Sequence, residues 1–126
     1  RREHFLKHEP GKKIYITTDD ASLGIAGNVV DALRNIFSNG NHPQDCKLYS
    51  CGPPMMMEGV RSYSLQNSLE CDLALETIMA CGFGICQGCT VERKTEINGQ
   101  HSYRKQFALA CMDGPIFDAK EIISCM

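Results

Sequence analysis

Three cysteines on one short, glycine-rich stretch constrain this chain more than any other feature: Cys81-Gly-Phe-Gly-Ile-Cys86-Gln-Gly-Cys89, with a fourth, Cys111, much further on. The C-x4-C-x2-C…C spacing is that of a plant-type [2Fe–2S] cluster. Soft thiolates suit iron–sulfur clusters, and three on one tight loop can wrap one side of a small one. The fourth must come from elsewhere in the fold, as the gap before Cys111 allows. A loop hugging sulfide also needs left-handed backbone and N–H groups close to sulfur, and Gly82, Gly84 and Gly88 permit both. Two other readings stay open. Cys86-x2-Cys89 is half of a zinc site that Cys81 and Cys111 could complete, although structural zinc usually takes two short knuckles. Disulfides need an oxidising compartment, and no stretch reads as a secretory signal peptide.

The totals set bounds. A length of 126 residues suits one ordinary domain or two small ones. Charge is nearly balanced at −2, with 22% charged and 43% hydrophobic residues, so a packed globular protein is expected. No basic stripe argues for nucleic acid, and no apolar run approaches a membrane span. Eight cysteines without a signal peptide point to the cytoplasm, where reduced thiols serve a metal. Cys46, Cys71 and Cys125 are expected as buried free thiols. A charged, helix-like stretch runs straight from Arg1, which reads as the middle of a longer polypeptide.

Along the first seventy residues helix and strand alternate. Arg1 to His8 reads as a helix end, stopped by Glu9-Pro10-Gly11. Lys13 to Thr18 is a strand by its β-branched and aromatic content, ending in Asp19-Asp20 and a flexible stretch around Gly24 and Gly27. Asn28 caps a helix with Val29, Val30, Ala32, Leu33 and Ile36 on one side and Gly40 past its end. A second strand ends at Cys51-Gly52-Pro53, and a helix follows from Pro54. Strands joined by helices make a parallel sheet, but two strands are too few for a stable open one, so further sequence or a partner is implied.

From Cys71 the pattern changes. Cys71 to Glu76 alternates and leads into the cysteine loop. Thr90 to Lys94 and Tyr103 to Leu109 are two arms of a hairpin turning at Asn98-Gly99, which returns the chain to deliver Cys111. Ile116-Phe117 is expected to cover the apolar flank of the cluster. The expected fold is α/β: residues 1–70 alternate helix and strand as a parallel-sheet unit, residues 71–126 form a smaller β-rich unit around the cysteine loop, and the boundary falls near residue 70.

Thr18-Asp19-Asp20 and Cys51-Gly52-Pro53 each follow a strand, the position where open α/β sheets bind ligands. Carboxylates there can accept hydrogen bonds from ribose hydroxyls and would repel a 2′-phosphate, favouring NAD over NADP. Ordinary turn chemistry explains the two aspartates equally well. Gly52 allows close approach to the backbone, and the helix start after Pro53 favours anions. Met55, Met56 and Met57 are flexible core filler. His4, His8, His42 and His101 are scattered in polar context and are not read as ligands.

Thr18-Asp-Asp-Ala-Ser22, Tyr49-Ser-Cys-Gly-Pro-Pro54, Leu75-Glu76 with Met79-Ala-Cys-Gly82, the cysteine loop, and Cys111-Met-Asp-Gly-Pro-Ile-Phe-Asp118 together resemble one family over nearly the whole chain. It is the electron-transfer subunit of NAD-dependent dihydroorotate dehydrogenase, related to ferredoxin–NADP reductases. The resemblance implies an FAD-binding barrel, an NAD-binding α/β domain and a small [2Fe–2S] domain, of which this chain would be the end of the second plus the third. It assigns Cys81, Cys86, Cys89 and Cys111 to the cluster. It sets Thr18, Asp19 and Asp20 near the adenosine ribose, and Cys51, Gly52 and Pro53 near nicotinamide and flavin.

In such a protein NADH reduces FAD, and electrons pass singly through the cluster to a separate FMN-containing subunit that interconverts dihydroorotate and orotate in pyrimidine biosynthesis. This chain would be part of an oxidoreductase subunit, in a hetero-oligomer, and not catalytically complete by itself. The alternatives are a reductase subunit serving a hydrogenase or a ferredoxin-linked NAD(P) enzyme, and a zinc-binding module. Two departures from the family stand out. Thr95 to His101 lengthens the hairpin tip, and Ala21 replaces a frequent glycine.

Overall fold

The structure is a computed structural model that describes residues 12–38, 46–94 and 106–125. The chain divides into two compact units, Arg1–Asn41 and His42–Met126, each taken by itself below. The architecture is mixed α/β with small sheets. The N-terminal helix pattern, Gly40, all four histidines, the Asn98-Gly99 turn and the Thr95–His101 tip lie outside the described residues.

In the first unit, strand β1 (Thr17–Thr18) pairs in parallel with β2 (Ile25–Ala26), and helix α1 (Val29–Ser38) follows. The strand expected from Lys13 is only two residues long, and the stretch expected to be flexible supplies its partner. A strand exists by virtue of a neighbour, and among the described residues only β2 lies beside β1. Gly24 makes the approach possible. It sits at φ +81°, and a Cβ there would come within 2.1 Å of the Ile16 carbonyl oxygen. Helix α1 begins as its sequence dictates: Val30 N–H donates to Asn28 Oδ1 at 2.8 Å, and Asn28 N–H donates back to Asp31 Oδ2 at 3.0 Å. This reciprocal cap satisfies N–H groups that the first turn leaves unpaired.

The second unit is built on a three-stranded sheet in the order β3 (Lys47–Cys51), β4 (Glu70–Ala74), β7 (Ile116–Asp118). Strands β3 and β4 run parallel, in a register from Lys47 opposite Glu70 to Cys51 opposite Ala74. Helix α2 (Pro54–Gln66) makes the crossover, with a proline in its first turn where no N–H is missed. Its Met57, Val60, Arg61 and Ser64 recur at helical spacing and are buried. The alternation in β4 sends Cys71 and Leu73 into the core, where Met57, Leu69 and Ile122 are also almost wholly enclosed. Burying an aliphatic side chain of this size contributes about 1.5–3 kcal/mol.

Strand β7 is antiparallel to β4, with Phe117 opposite Leu73. This corrects the expectation for Ile116-Phe117: Phe117 packs into the sheet core and Ile116 is exposed, because both belong to a third strand. Of the methionine run only Met57 is core, while Met55 is 70% exposed. Of the expected buried thiols, Cys71 is buried, Cys125 is intermediate and Cys46 is exposed.

The expected hairpin is present as antiparallel β5 (Thr90–Glu92) and β6 (Phe107–Leu109). The C-terminal tail lies along it. Lys94 N–H donates to Glu121 O at 2.7 Å, and Ile123 N–H donates to Glu92 O at 3.0 Å. Among the described residues no helix is long and apolar enough to cross a membrane.

Candidate metal centre

Topology gathers three connections at one end of the β3-β4-β7 sheet. Parallel pairing of Cys51 with Ala74 puts the Cys51-Gly52-Pro53 loop and the chain leading into the cysteine loop at the same carboxyl end. Strand β7 enters from that end, with Ile116 opposite Ala74 and Leu75 N–H donating to Pro115 O at 2.9 Å. The turn carrying Cys111 precedes it directly. The carboxyl end of a parallel pair is where α/β sheets present their chemistry.

Within the cysteine loop, Gly82 (φ 74°) and Gly84 (φ 84°) are left-handed, as the sequence suggests. Gly88 is not. Gln87 takes the left-handed conformation in its place, at φ 57°. Only asparagine, aspartate and glycine advertise that conformation in a sequence, so nothing marked Gln87. Gly84 has a second reason, since a Cβ there would lie 3.1 Å from Cγ of Met112.

The folded loop turns backbone donors onto sulfur. Cys86 N–H lies 3.4 Å from Cys81 Sγ. Together with the N–H groups of Phe83 and Ile85 and the Cys86 thiol, it lowers the Cys81 thiol to about 6. The Sγ atoms of Cys89 and Cys111 are 3.2 Å apart. The Cys111 N–H favours the Cys89 thiolate, and that thiolate in turn holds the proton on Cys111. The turn after β6 is fixed by Asp113, whose carboxylate accepts Leu109 N–H at 2.8 Å while its own N–H donates to Leu109 O at 2.7 Å.

The four thiols stand as two pairs, Cys81 with Cys86 and Cys89 with Cys111. Among the described residues no three Cys, His, Asp or Glu side chains converge on one point. A single zinc ion takes four donors around itself, whereas each iron of a [2Fe–2S] cluster takes two thiolates. Paired sulfurs with N–H donors aimed at them therefore fit the two-iron group. Around them Phe83 and Ile85 of the cysteine loop and Met112 of the turn after β6 are 61%, 74% and 62% exposed, an apolar rim.

The other predicted site residues fall in two places. Cys51, Gly52 and Pro53 join β3 to α2 in the second unit, and a Cβ on Gly52 would meet only the mobile end of Met56, at 2.6 Å. Thr18 ends β1 in the first unit, and Asp19 and Asp20 begin the turn after it. There the Thr18 hydroxyl donates to Leu23 O at 3.0 Å and accepts Leu23 N–H at 3.2 Å. Ser22 donates to Asp20 from both hydroxyl and N–H, which holds that carboxyl below its usual range. Asp19 is exposed.

Residues 76–123 match the family described as the iron–sulfur cluster binding domain of dihydroorotate dehydrogenase B. All four paired thiols lie inside that span. Beyond it, nearly the whole chain is similar to electron transfer subunits of dihydroorotate dehydrogenase B (NAD(+)). The subunit of Caldanaerobacter subterraneus subsp. tengcongensis is 31% identical over 125 residues, covering 98% of this chain and 46% of that protein. The subunit of Listeria welshimeri is 35% identical over 123 residues, covering 96% and 43%.

The chain thus spans under half the length of these relatives. Among solved structures, one described as an NADH-dependent reduced ferredoxin-NADP oxidoreductase, studied for flavin-based electron bifurcation, matches with a TM-score of 0.66. It is 27% identical and covers 86% of this chain and 34% of its own.

Proposed function

We propose that this chain is the C-terminal part of the electron-transfer subunit of an NAD-linked dihydroorotate dehydrogenase, and that Cys81, Cys86, Cys89 and Cys111 hold its [2Fe–2S] cluster. The observation that carries the reading is the meeting of the Cys51-Gly52-Pro53 loop with both cysteine segments at one end of a sheet. When bound, the cluster supplies one-electron transfer. The chain's own residues do the rest. Backbone N–H groups of the loop stabilise negative charge at Cys81, and the short turn locked by Asp113 brings Cys111 to Cys89.

Residues 1–70 belong on this reading to an NAD-binding domain and 71–126 to the cluster domain. That division is one of chemistry, since β3 and β4 share a sheet across it. Cys51, Gly52 and Pro53 face the nicotinamide and flavin, while Asp19 and Asp20 meet the adenosine ribose and favour NAD. FAD is held by sequence outside this chain, and an FMN-containing catalytic subunit is the partner in pyrimidine biosynthesis. A second reading, a reductase serving ferredoxin and NADP, draws on the likeness to the ferredoxin-NADP oxidoreductase.

The test uses the full-length subunit mixed with a dihydroorotate dehydrogenase catalytic subunit. Reduction of NAD+ by dihydroorotate that needs both proteins is the expected result. No coupling there, with ferredoxin-dependent reduction of NADP+ instead, would favour the second reading.

A further inference from the structure

The β5–β6 hairpin carries Cys89 at its base and leads into Cys111, yet it shares no sheet with β3, β4 and β7. Among the described residues the C-terminal tail bonds to its outer strand. Lys94 N–H donates to Glu121 O, Ile123 N–H donates to Glu92 O, and Arg93 and Ile122 form an antiparallel bridge. The other side of that tail is held by helix α2. Arg61, only 7% exposed, donates from Nη2 to Ile122 O at 2.8 Å and from Nη1 to Glu58 Oε1 at 2.8 Å. Glu58 Oε2 then accepts Cys125 N–H at 3.0 Å. Glu58 and Arg61 sit one and two turns into the helix that begins at the Cys51-Gly52-Pro53 loop.

We infer that Arg61 and Glu58 are positioning residues for electron transfer: together they clamp the tail to α2 and so fix where Cys89 and Cys111 stand relative to the Cys51 loop. The inference rests on the proposed function, because it matters only if electrons pass between those two places. Three observations argue for a positioning role over plain core filling. A guanidinium is costly to bury, and methionine or leucine would fill the same space at less cost. Arg61 spends its two terminal nitrogens on two different elements, a carbonyl of the tail and a carboxylate of its own helix, which a planar fork does and a point charge does not. The tail it holds has Ile122 fully enclosed and bonds to β5, so it links the hairpin to the helix. Among the described residues Nε of Arg61 has no hydrogen-bond partner, so the guanidinium is held by its two terminal nitrogens.

The experiment takes the full-length subunit with flavin and cluster loaded, and its variants Arg61→Leu, Arg61→Lys and Glu58→Gln. Stopped-flow absorbance after mixing with NADH follows flavin reduction and then cluster reduction, each normalised to measured flavin and iron. In Arg61→Leu the flavin-to-cluster step per loaded cluster should slow about tenfold relative to flavin reduction, since small misplacements far from the chemistry are costly in rate. Arg61→Lys, which keeps charge but not the fork, should recover only part of it.

A merely structural arginine would lower the melting temperature and cluster occupancy while leaving the normalised rate untouched, and that result overturns the inference. If Arg61→Leu does not fold, Glu58→Gln decides. It keeps the shape of the clamp but replaces one accepting oxygen with an NH2 group that cannot accept, so one of its two bonds is lost and the other weakened, and it must slow the same step or the inference fails. A wild-type protein that holds no cluster would overturn the proposed function and this inference together, whereas a loaded protein with unaltered rates overturns this one alone.

Discussion

Cys81 and Cys125 are the same residue type in opposite surroundings. Cys81 sits in the loop after β4, where backbone N–H groups, the Cys86 donor first among them, bring its thiol down to about 6. Cys125 sits in the tail against α2, where burial first and the Glu58 carboxylate second push its thiol up to about 12. One thiol is prepared to be an anion and a ligand, the other to remain a neutral packing group. A cysteine count therefore says little about metal chemistry in this protein. The supply of N–H donors decides it, and that supply comes from the left-handed residues that curl the loop.

The largest test of that contrast is substitution. Cys86→Ser should abolish the visible absorption of the reconstituted protein, while Cys46→Ser should leave it intact. Bleaching in both would break the division into ligand and bystander thiols. Alkylation sharpens it. In cluster-free protein at neutral pH, iodoacetamide should modify Cys81 at least about tenfold faster than Cys125, read by peptide mass spectrometry. Equal rates would show that the loop donors do not act on Cys81.

The clamp region has its own pH signature. Burial works against the Glu58 charge, but Cys125 N–H and Arg61 outweigh it, so its carboxyl is held below the ordinary glutamate range. A lowered folded-state value adds stability that is present above the unfolded value and lost as pH falls through the folded one. Melting temperature should therefore drop on acidification below the ordinary glutamate range, and Glu58→Gln should lack that part of the drop. The smallest effect belongs to the first unit. Ala21 is left-handed at φ 56°, at the position where the related family often has glycine. Ala21→Gly should relieve about 1 kcal/mol of strain and raise the melting temperature slightly. A fall in stability would contradict this.

How far the sequence could be read follows the range of the interactions. The cysteine loop, the Asn28 cap, the Pro54 helix start and the β5–β6 hairpin were all legible, because each is set by residues a few positions apart. The parallel pairing of β3 with β4 and the place of Phe117 in a third strand are not legible in the same way, since a pairing partner leaves no local signature. The same holds for Arg61. Its carbonyl partner Ile122 lies far along the chain, and an arginine at helical spacing reads as a solvated face until its burial is seen. Gln87 in a left-handed turn departs from residue preference altogether.

The central claim, that four thiols in two pairs hold a two-iron cluster, is tested most directly by metal and sulfide analysis of the anaerobically reconstituted protein beside its visible spectrum. The account predicts a red-brown protein with about two iron and two sulfide per chain, both lost in Cys86→Ser. A colourless protein binding about one zinc per chain through the same cysteines would contradict it.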